Sequence, residues 1–144
     1  MVKPNNSYKI SIIVPTYNER ETIISFLEKV THQISENGFD AGILVVDDGS
    51  PDGTAELIND FSKTHPNVTL LNRREKRGLA SACVYGFSHT KSPILGVMDA
   101  DLSHAPSALP YLLNPLLHKR PLNSCPSFQI VQLFQQNIFP AISL

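Results

Sequence analysis

The amino-acid sequence predicts an α/β fold in which an open parallel sheet carries helices on both of its faces. Short apolar runs rich in β-branched residues alternate with longer segments whose apolar residues recur at spacings of three and four. The resulting order is strand, helix, strand, helix, strand, helix, strand, which is typical of βαβ units joined into a parallel sheet. Polar residues also cluster directly after the apolar runs, where sheets of this class bind their ligands.

The predicted strands are short apolar runs bounded by prolines and polar residues. The first run, KISIIV, is stopped by Pro15 and has the continuous apolar character of a strand buried on both faces. The predicted strands are Lys9–Val14, Gly42–Asp48, Val68–Asn72 and Pro93–Asp99.

The first predicted helix lies between the first two strands. Asn18 followed by Glu21 fits a capping box and predicts the helix start there, and Gly38 supplies a stop. One face of this helix is apolar and is expected to meet the core. Its residues are Ile23, Leu27, Val30 and Ile34.

Three further helices are predicted, over Thr54–His65, over Leu79–Phe87 and over Ser107–Leu117. Pro110 and Pro115 are expected to weaken the last of them. The middle one has an apolar stripe expected to face the sheet. The stripe consists of Leu79, Ala82, Cys83, Gly86 and Phe87.

Length and composition indicate one domain and argue against several partners. The 144 residues suffice for one domain, and a hydrophobic fraction of 42% provides a sizeable core. A net charge of −1 gives no general drive toward nucleic acid.

Cys83 and Cys125 form no metal-ligand or redox spacing, so a reduced, cytoplasmic setting is expected. There is no signal-peptide run and no stretch of the roughly 20 apolar residues that span a bilayer, so membrane contact is expected to be peripheral, or made by parts missing here.

Three polar clusters follow predicted strands and are expected to meet at one edge of the sheet. They are PTYNE at residues 15–19, DDGSPDG at 47–53 and DADLSH at 99–104. Ligands of open α/β sheets bind at the carboxyl ends of the strands, so the clusters predict one acidic, polar site. No GxGxxG follows the first strand and no GxxxxGK[ST] occurs, which argues against a dinucleotide-binding fingerprint and a P-loop.

The cluster DADLSH suggests a metal site. Asp99 and Asp101 stand two residues apart, and on an extended strand their side chains would point to the same side. Two close carboxylates repel each other, and a divalent cation removes that repulsion. Hard oxygen ligands suit Mg²⁺ or Mn²⁺. The alternative is a solvated turn with two acids, and His104 is read as a surface residue.

The other clusters have functional and ordinary readings. The carboxylate of Asp47 or Asp48 is suited to accept a hydrogen bond from a ribose hydroxyl or from the exocyclic nitrogens of a base. The residues that follow them are also typical of any tight turn. The ring of Tyr17 suits stacking on a base, while Glu19 equally suits the first turn of a helix. The cationic side chains of the basic loop Arg73–Gly78 are suited to bind a phosphate. The alternative is that the loop is solvated and has no ligand.

Taken together, the motifs are more specific than any one of them. SIIVPTYNE, VVDDGSPDGT, KRGLASACVYGF and VMDADLSHAP, in this order and spacing, resemble glycosyltransferase family 2. Within the family, the chain looks most like dolichyl-phosphate mannosyltransferases and related polyprenyl-phosphate sugar transferases. The resemblance covers about residues 10 to 113.

The resemblance implies a fold, a reaction and partners. The fold would be the Rossmann-like, nucleotide-sugar-binding type called GT-A. The donor would be a nucleotide-diphosphate sugar, GDP-mannose in the most similar relatives, and the acceptor a polyprenyl or dolichyl phosphate. Transfer would invert the anomeric centre with the help of Mg²⁺ or Mn²⁺. The chain would act in the cytoplasm or peripherally at the cytoplasmic face of a membrane (the endoplasmic reticulum in a eukaryote). Partner subunits are compatible with the resemblance.

The resemblance also implies site residues. Those that would line the nucleotide pocket or contact the base and ribose are Pro15, Tyr17, Glu19, Val46 and Asp48. Those that would face the ribose, diphosphate and metal, with the two aspartates as catalytic residues, are Asp99, Ala100 and Asp101. Ser103 would be the third metal ligand, at a position where many relatives have Gln, which reaches further.

The chain departs from the family pattern near its end. Residues 8–117 are expected to form the nucleotide-sugar-binding domain, incomplete on its C-terminal side, and residues 118–144 an atypical tail. Pro121–Leu144 contains no charged residue, as truncation or altered splicing would leave, and it is expected to be weakly ordered. Phe128, Val131, Phe134 and Phe139 suit a short apolar helix face. Two alternatives stay open: a family 2 transferase with another donor and acceptor, and an inert fragment that binds a nucleotide or a partner subunit.

Overall fold

The computed structural model describes residues 7–75, 78–102, 105–118 and the backbone of 129–131. Within these ranges the strands are β1 (Ile10–Thr16), β2 (Ala41–Asp47), β3 (Val68–Asn72), β4 (Ile94–Val97) and β5 (Gln129–Val131). They form a five-stranded sheet in the order β3-β2-β1-β4-β5.

The first four strands are parallel, as the sequence predicts. β1 lies in the middle and pairs with β2 on one side and β4 on the other, and β2 pairs with β3. The expected Rossmann-like α/β fold is therefore confirmed. Strand order reverses at β1, because the chain moves outward from β1 to β3 and then returns to place β4 on the opposite side. In open sheets this reversal point is where a ligand crevice forms.

The fifth strand was not predicted. β5 pairs antiparallel with β4, with Gly96 opposite Ile130, and it covers an edge of β4 that would otherwise present open hydrogen-bonding groups. The prediction that Val131 belongs to a helix face is therefore wrong. Phe128, Phe134 and Phe139 lie outside the described residues, and the expected weak order of the tail stays a prediction.

Four α-helices connect or follow the parallel strands of the described chain. They are α1 (Ile23–Glu36), α2 (Thr54–Ser62), α3 (Leu79–Ser88) and α4 (Leu109–Leu117). α1, α2 and α4 share one hydrophobic cluster on one face of the sheet, while α3 is the one helix of the described residues that packs on the other face. This division follows from the strand order, because right-handed crossovers place helices on opposite faces when the direction of strand addition reverses.

The alternation of side chains along the central strands fills both faces of the sheet. In β1, Ile12 and Val14 point toward α1, while Ile13 points toward α3. All three are fully buried. α3 comes especially close, since a Cβ on Gly86 would lie 2.5 Å from the Cγ2 of Ile13. Only glycine permits this approach.

The start of α1 differs from the sequence prediction. The helix begins at Ile23, with Thr22 as its N-cap residue and without a side-chain capping bond. The predicted capping box of Asn18 and Glu21 is therefore wrong. Asn18 instead has a left-handed backbone, with φ of 56°, and its N–H donates to Ser50 on the next loop. A contact made 32 residues away has replaced the local cap.

Two further helix predictions need correction. Leu79, predicted to face the sheet, is 62% exposed. Pro110 does not weaken α4, because it lies in the first turn, where its missing N–H has no intrahelical partner to lose. Pro115 does lie inside the helix, near its end.

Candidate functional site

A cleft of about 250 Å³ opens at the carboxyl ends of β1, β2 and β4, at the reversal point of the sheet. Its walls come from the segments that follow these three strands and from the N-terminal turn of α3. The lining residues are Pro15, Thr16, Tyr17, Glu19, Asp48, Gly78, Leu79, Ala82, Asp99, Ala100 and Asp101.

Most of the site residues expected from the sequence meet in this cleft. Two do not. Val46 is fully buried in the small cluster beneath α3 and does not line the cleft, because the alternation along β2 turns it toward that helix. Ser103 lies outside the described residues, as does His104. The roles of the residues that do meet there stay predictions.

Asp99 and Asp101 share the cleft, but they do so on a turn. β4 ends at Val97, so the expectation that both aspartates extend from a strand is wrong. Both are nevertheless exposed, while Ala100 between them is buried. The turn therefore retains the alternation of a strand and presents two carboxylates to one cleft.

Asp48 forms the buried ion pair of the site. Its Oδ1 accepts hydrogen bonds from the guanidinium of Arg73, through Nε at 2.5 Å and also through Nη2. The N–H of Gly78 donates to its Oδ2 over 3.2 Å. The side chains of both partners are at most 7% exposed. The two charges are therefore poorly solvated, and removing either one would leave the other buried without a compensating charge.

Arg73 also connects β3 to the wall of the cleft. Its Nη1 donates to the hydroxyl of Ser81 over 2.8 Å, and its Nη2 donates to the carbonyl of Gly78 over 3.4 Å. Arg73 is thus neither in a solvated loop nor directed at a phosphate, the two readings that the sequence left open. Lys76 and Arg77 lie outside the described residues.

Tyr17 and Glu19 enter the cleft from the segment after β1. The ring of Tyr17 is 37% exposed, and Glu19 accepts a hydrogen bond from the Thr22 hydroxyl over 2.9 Å. An exposed ring in a cleft of this kind is suited to stacking on a flat aromatic ligand.

The cleft is strongly acidic. Four carboxylates line it, from Glu19, Asp48, Asp99 and Asp101, and none of its described lining residues is Lys or Arg. Within the described part of the chain, no group of three or more His, Cys, Asp or Glu residues is arranged to hold a metal ion. A pair of carboxylates completed by substrate phosphates is nevertheless a common Mg²⁺ arrangement. Asp99 and Asp101 therefore fit a divalent cation that a ligand helps to bind.

The nearby thiol is unsuited to nucleophilic chemistry. Burial raises the pKa of Cys83, and the negative charge of Asp99 raises it further. The thiol therefore stays protonated at neutral pH, and a protonated thiol is a poor nucleophile.

Four lining residues were not among the individual site residues expected from the sequence, namely Thr16, Gly78, Leu79 and Ala82. Three of them belong to the start of α3, and a glycine before an apolar helix carries no functional signal of its own. The position of the start of α3 could have indicated these residues. The N-terminal turn of a helix that follows a strand of a parallel sheet lies beside the carboxyl ends of the strands, where ligands bind.

A larger and more open depression, of about 690 Å³, lies near the amino-terminal end of β2 and the ends of α1 and α2. Of the carboxylates, only Asp40 lines it among the described residues. The smaller cleft is the better candidate site because several acids and an aromatic ring converge there.

The fold and the cleft together define an α/β protein with an open parallel sheet and a cleft at its carboxyl edge, where proteins of this class bind their ligands. The chain belongs to glycosyl transferase family 2, whose model matches residues 11–142. This range extends beyond residue 117, where the domain was expected to end. Among the helices that the structure describes, none combines the length and apolar character needed to cross a bilayer.

Two curated relatives show what the chain is similar to. It is 38% identical over 108 residues to a dolichol-phosphate mannosyltransferase of Pyrococcus furiosus, a match that covers 75% of this chain and 30% of the relative. It is 41% identical over 107 residues to a polyprenol monophosphomannose synthase of Mycolicibacterium smegmatis, covering 72% and 39%. The chain thus spans 30% of the length of the first relative and 39% of the length of the second.

Solved structures agree on the fold. A mannosyltransferase from Pyrobaculum calidifontis, in complex with GDP-Man and Mn²⁺, matches with a TM-score of 0.59 and 34% identity, covering 69% of this chain and 30% of that one. Mannosyl-3-phosphoglycerate synthase from Rubrobacter xylanophilus matches with a TM-score of 0.64 and 22% identity, over 76% and 37%, which is a likeness of fold alone.

Proposed function

We propose that this chain forms the donor site of a family 2 glycosyltransferase that moves mannose from GDP-mannose to a polyprenyl or dolichyl phosphate, with inversion. One observation carries the proposal. Four carboxylates and an aromatic ring, supplied after three different strands, converge on one cleft in a chain of this family. The names of the similar mannosyltransferases support mannose and a lipid phosphate. The GDP-Man complex of the similar solved structure supports the donor.

In the proposed reaction an oxygen of the acceptor phosphate attacks the anomeric carbon of the sugar. The new bond joins that oxygen to the carbon, the bond from the carbon to the donor diphosphate breaks, and its electron pair leaves with GDP. One displacement inverts the anomeric centre. The acceptor phosphate is already ionised at neutral pH, so a strong general base is not required.

A cation is needed because the cleft and the donor are both negative. Two unit charges 4 Å apart interact with about 4 kcal/mol at an effective dielectric constant of about 20, so carboxylates of this cleft repel a diphosphate. Mg²⁺ or Mn²⁺ held by Asp99 and Asp101 would reverse the sign locally and supply positive charge where the leaving diphosphate gains negative charge. The Mn²⁺ in the similar solved structure supports this choice.

The proposed roles of the remaining residues follow from their places. Tyr17 stacks on the base. Asp48, held by Arg73, accepts hydrogen bonds from the base or ribose. Pro15 and Ala100 belong to the lining of the cleft. Their small side chains contact the nucleoside. The first turn of α3, which begins at the cleft, adds N–H groups and the positive end of a helix dipole near the phosphates.

A second candidate donor has a specific observation in its favour. The chain is 34% identical over 116 residues to an undecaprenyl-phosphate 4-deoxy-4-formamido-L-arabinose transferase of Enterobacter. The same fold and cleft are therefore compatible with a different nucleotide sugar and a lipid phosphate acceptor. With either donor, a polyprenyl phosphate would be met at a membrane surface, as expected of a peripheral protein.

The test is a calorimetric titration of the full chain with GDP, GDP-mannose, UDP and UDP-glucose, with Mn²⁺ and with EDTA. We expect Mn²⁺-dependent binding of GDP and GDP-mannose. In a parallel melting experiment, free GDP at 100 times its Kd should stabilise the chain by about 2.7 kcal/mol.

The other outcomes are equally informative. Tighter binding of UDP ligands would replace GDP-mannose by another donor. Binding of no nucleotide in the presence of Mn²⁺ would contradict the proposal and favour an inert chain. Binding without transfer of mannose to a polyprenyl phosphate would assign only the donor site to this chain.

A further inference from the structure

Two loops at the edge of the sheet are joined by side-chain hydrogen bonds. The Tyr17 loop, residues 17–22, follows β1, and the Asp52 loop, residues 48–53, follows β2. Three successive N–H groups of the Tyr17 loop donate to side chains that belong to the Asp52 loop or to the first residue of α2. The bonds run from Asn18 to Ser50 Oγ at 2.9 Å, from Glu19 to Thr54 Oγ1 at 3.1 Å, and from Arg20 to Asp52 Oδ2 at 3.2 Å.

Carboxylates fix the direction of the first two bonds. The Ser50 hydroxyl donates to Asp47 Oδ1 over 2.6 Å, and the Thr54 hydroxyl donates to Asp52 Oδ1 over 2.5 Å. An ionised carboxylate can only accept, so each hydroxyl commits its proton to the acid. Each hydroxyl oxygen is then left to accept from the backbone N–H. Two relays of the same design, carboxylate to hydroxyl to N–H, therefore hold the Tyr17 loop.

The charge state of the relay acid is well suited to this task. Burial by itself raises the pKa of Asp52, but hydrogen bonds from the Thr54 hydroxyl and N–H and from the Arg20 N–H outweigh it, so the pKa lies below its usual value. Asp52 is thus ionised at neutral pH. Asp47 is fully buried, and it accepts hydrogen bonds from Thr16 and from both the N–H and the hydroxyl of Ser50.

The relays act on the backbone between two cleft residues. Asn18 has a φ of 56°, a left-handed conformation that asparagine tolerates but that needs support from its surroundings. This backbone separates Tyr17 from Glu19, and both of these side chains line the cleft. Ser50, Asp52 and Thr54 do not line it. Their effect on a ligand must therefore pass through the loop that they hold.

We propose that Ser50, Asp52 and Thr54 are positioning residues for the nucleotide, because their relays set the backbone that aims Tyr17 and Glu19 into the cleft. The inference rests on the proposed function, since it assumes that the cleft binds a nucleotide. It divides the motif DDGSPDGT into two parts. Asp48 faces the ligand, while the residues after it hold the neighbouring loop.

The test compares Thr54→Val with Thr54→Ser in the full chain. Valine has nearly the shape of threonine but no hydroxyl, so the Glu19 N–H loses its acceptor. We expect the affinity for GDP with Mn²⁺, measured by calorimetry, to fall roughly 3- to 30-fold, in line with the loss of one hydrogen bond from a partly buried donor. Thr54→Ser should stay within about twofold of the wild type because it keeps the relay. In Thr54→Val, amide exchange at Glu19 should also accelerate.

Thr31→Val is the matched control. The Thr31 hydroxyl donates to carbonyls within α1, so its removal should leave GDP affinity unchanged. Ser50→Ala is the second variant should Thr54→Val fail to fold, since Ser50 is only partly buried, and the same loss of affinity is expected. Unchanged affinity in the hydroxyl-deleted variant, or a loss that the conservative serine does not restore, overturns the inference alone. Failure of the wild type to bind any nucleotide overturns the proposed function and this inference with it.

Discussion

Asp101→Asn is expected to remove the metal-dependent part of nucleotide binding. Asparagine keeps the shape of the side chain but lacks the charge that a hard divalent cation prefers. Loss of a supporting group around a metal already costs 10- to 100-fold in affinity in typical sites, so loss of a direct ligand should weaken Mn²⁺-dependent GDP binding by about 100-fold. Calorimetric titrations with Mn²⁺ and with EDTA measure this effect, which should vanish in EDTA.

The structure offers a matched control for this prediction. Asp60 lies on the exposed side of α2, where its side chain is 69% exposed and pairs with Lys63. Asp60→Asn makes the same chemical change far from the cleft and should leave GDP binding unaltered. Both variants should keep the free energy of unfolding within about 0.5 kcal/mol of the wild type, as surface substitutions usually do. An Asp101→Asn chain that binds Mn²⁺ and GDP like the wild type would contradict the metal site.

Arg73→Met is expected to destabilise the fold by about 3–5 kcal/mol, because it leaves the Asp48 carboxylate buried without its cation. Methionine fills much of the space of the arginine stem, so the loss comes mainly from the uncompensated charge. Urea unfolding, followed by circular dichroism, measures the change. Arg74→Met is the neighbouring control, since Arg74 is exposed, and it should change stability by less than about 0.5 kcal/mol.

A double variant separates charge burial from lost packing. Arg73→Met combined with Asp48→Asn leaves no charge at this buried pair, so it should be more stable than Arg73→Met alone. If the two substitutions instead add their separate costs, the residues do not act as a pair, and the account of Asp48 as a carboxylate held by Arg73 is wrong.

Much of the fold was predictable because strand burial leaves a strong pattern. The run ISIIVPT of β1 and the run AGILVVD of β2 are almost wholly buried, and strands buried on both faces read as continuous apolar segments. The place of the acids was predictable for the same reason. Once the ends of the strands are known, residues such as Asp48, Asp99 and Asp101 must lie at the carboxyl edge of the sheet.

What could not be predicted depends on contacts distant in sequence. The segment RREKRG contains several cationic side chains. No local sequence pattern predicts that Arg73 points inward and donates to Asp48, which lies 25 residues earlier. Asn18 and Glu21 resemble a helix cap, but side chains of the Asp52 loop and of Thr54 accept the hydrogen bonds of the N–H groups of residues 18–20. Val46 was assigned to the nucleotide pocket by resemblance, although the alternation along β2 places it under α3.

The proposed function requires that the cleft at the reversal point of the sheet bind a nucleotide together with a divalent cation. Mn²⁺-induced broadening of the backbone amide signals in an NMR spectrum of the isotopically labelled chain, with and without GDP, would locate such a site. We expect GDP-dependent broadening centred on Asp99 and Asp101 and reaching Tyr17 and Asp48. Broadening centred on the larger depression near Asp40, or unchanged by GDP, would contradict it.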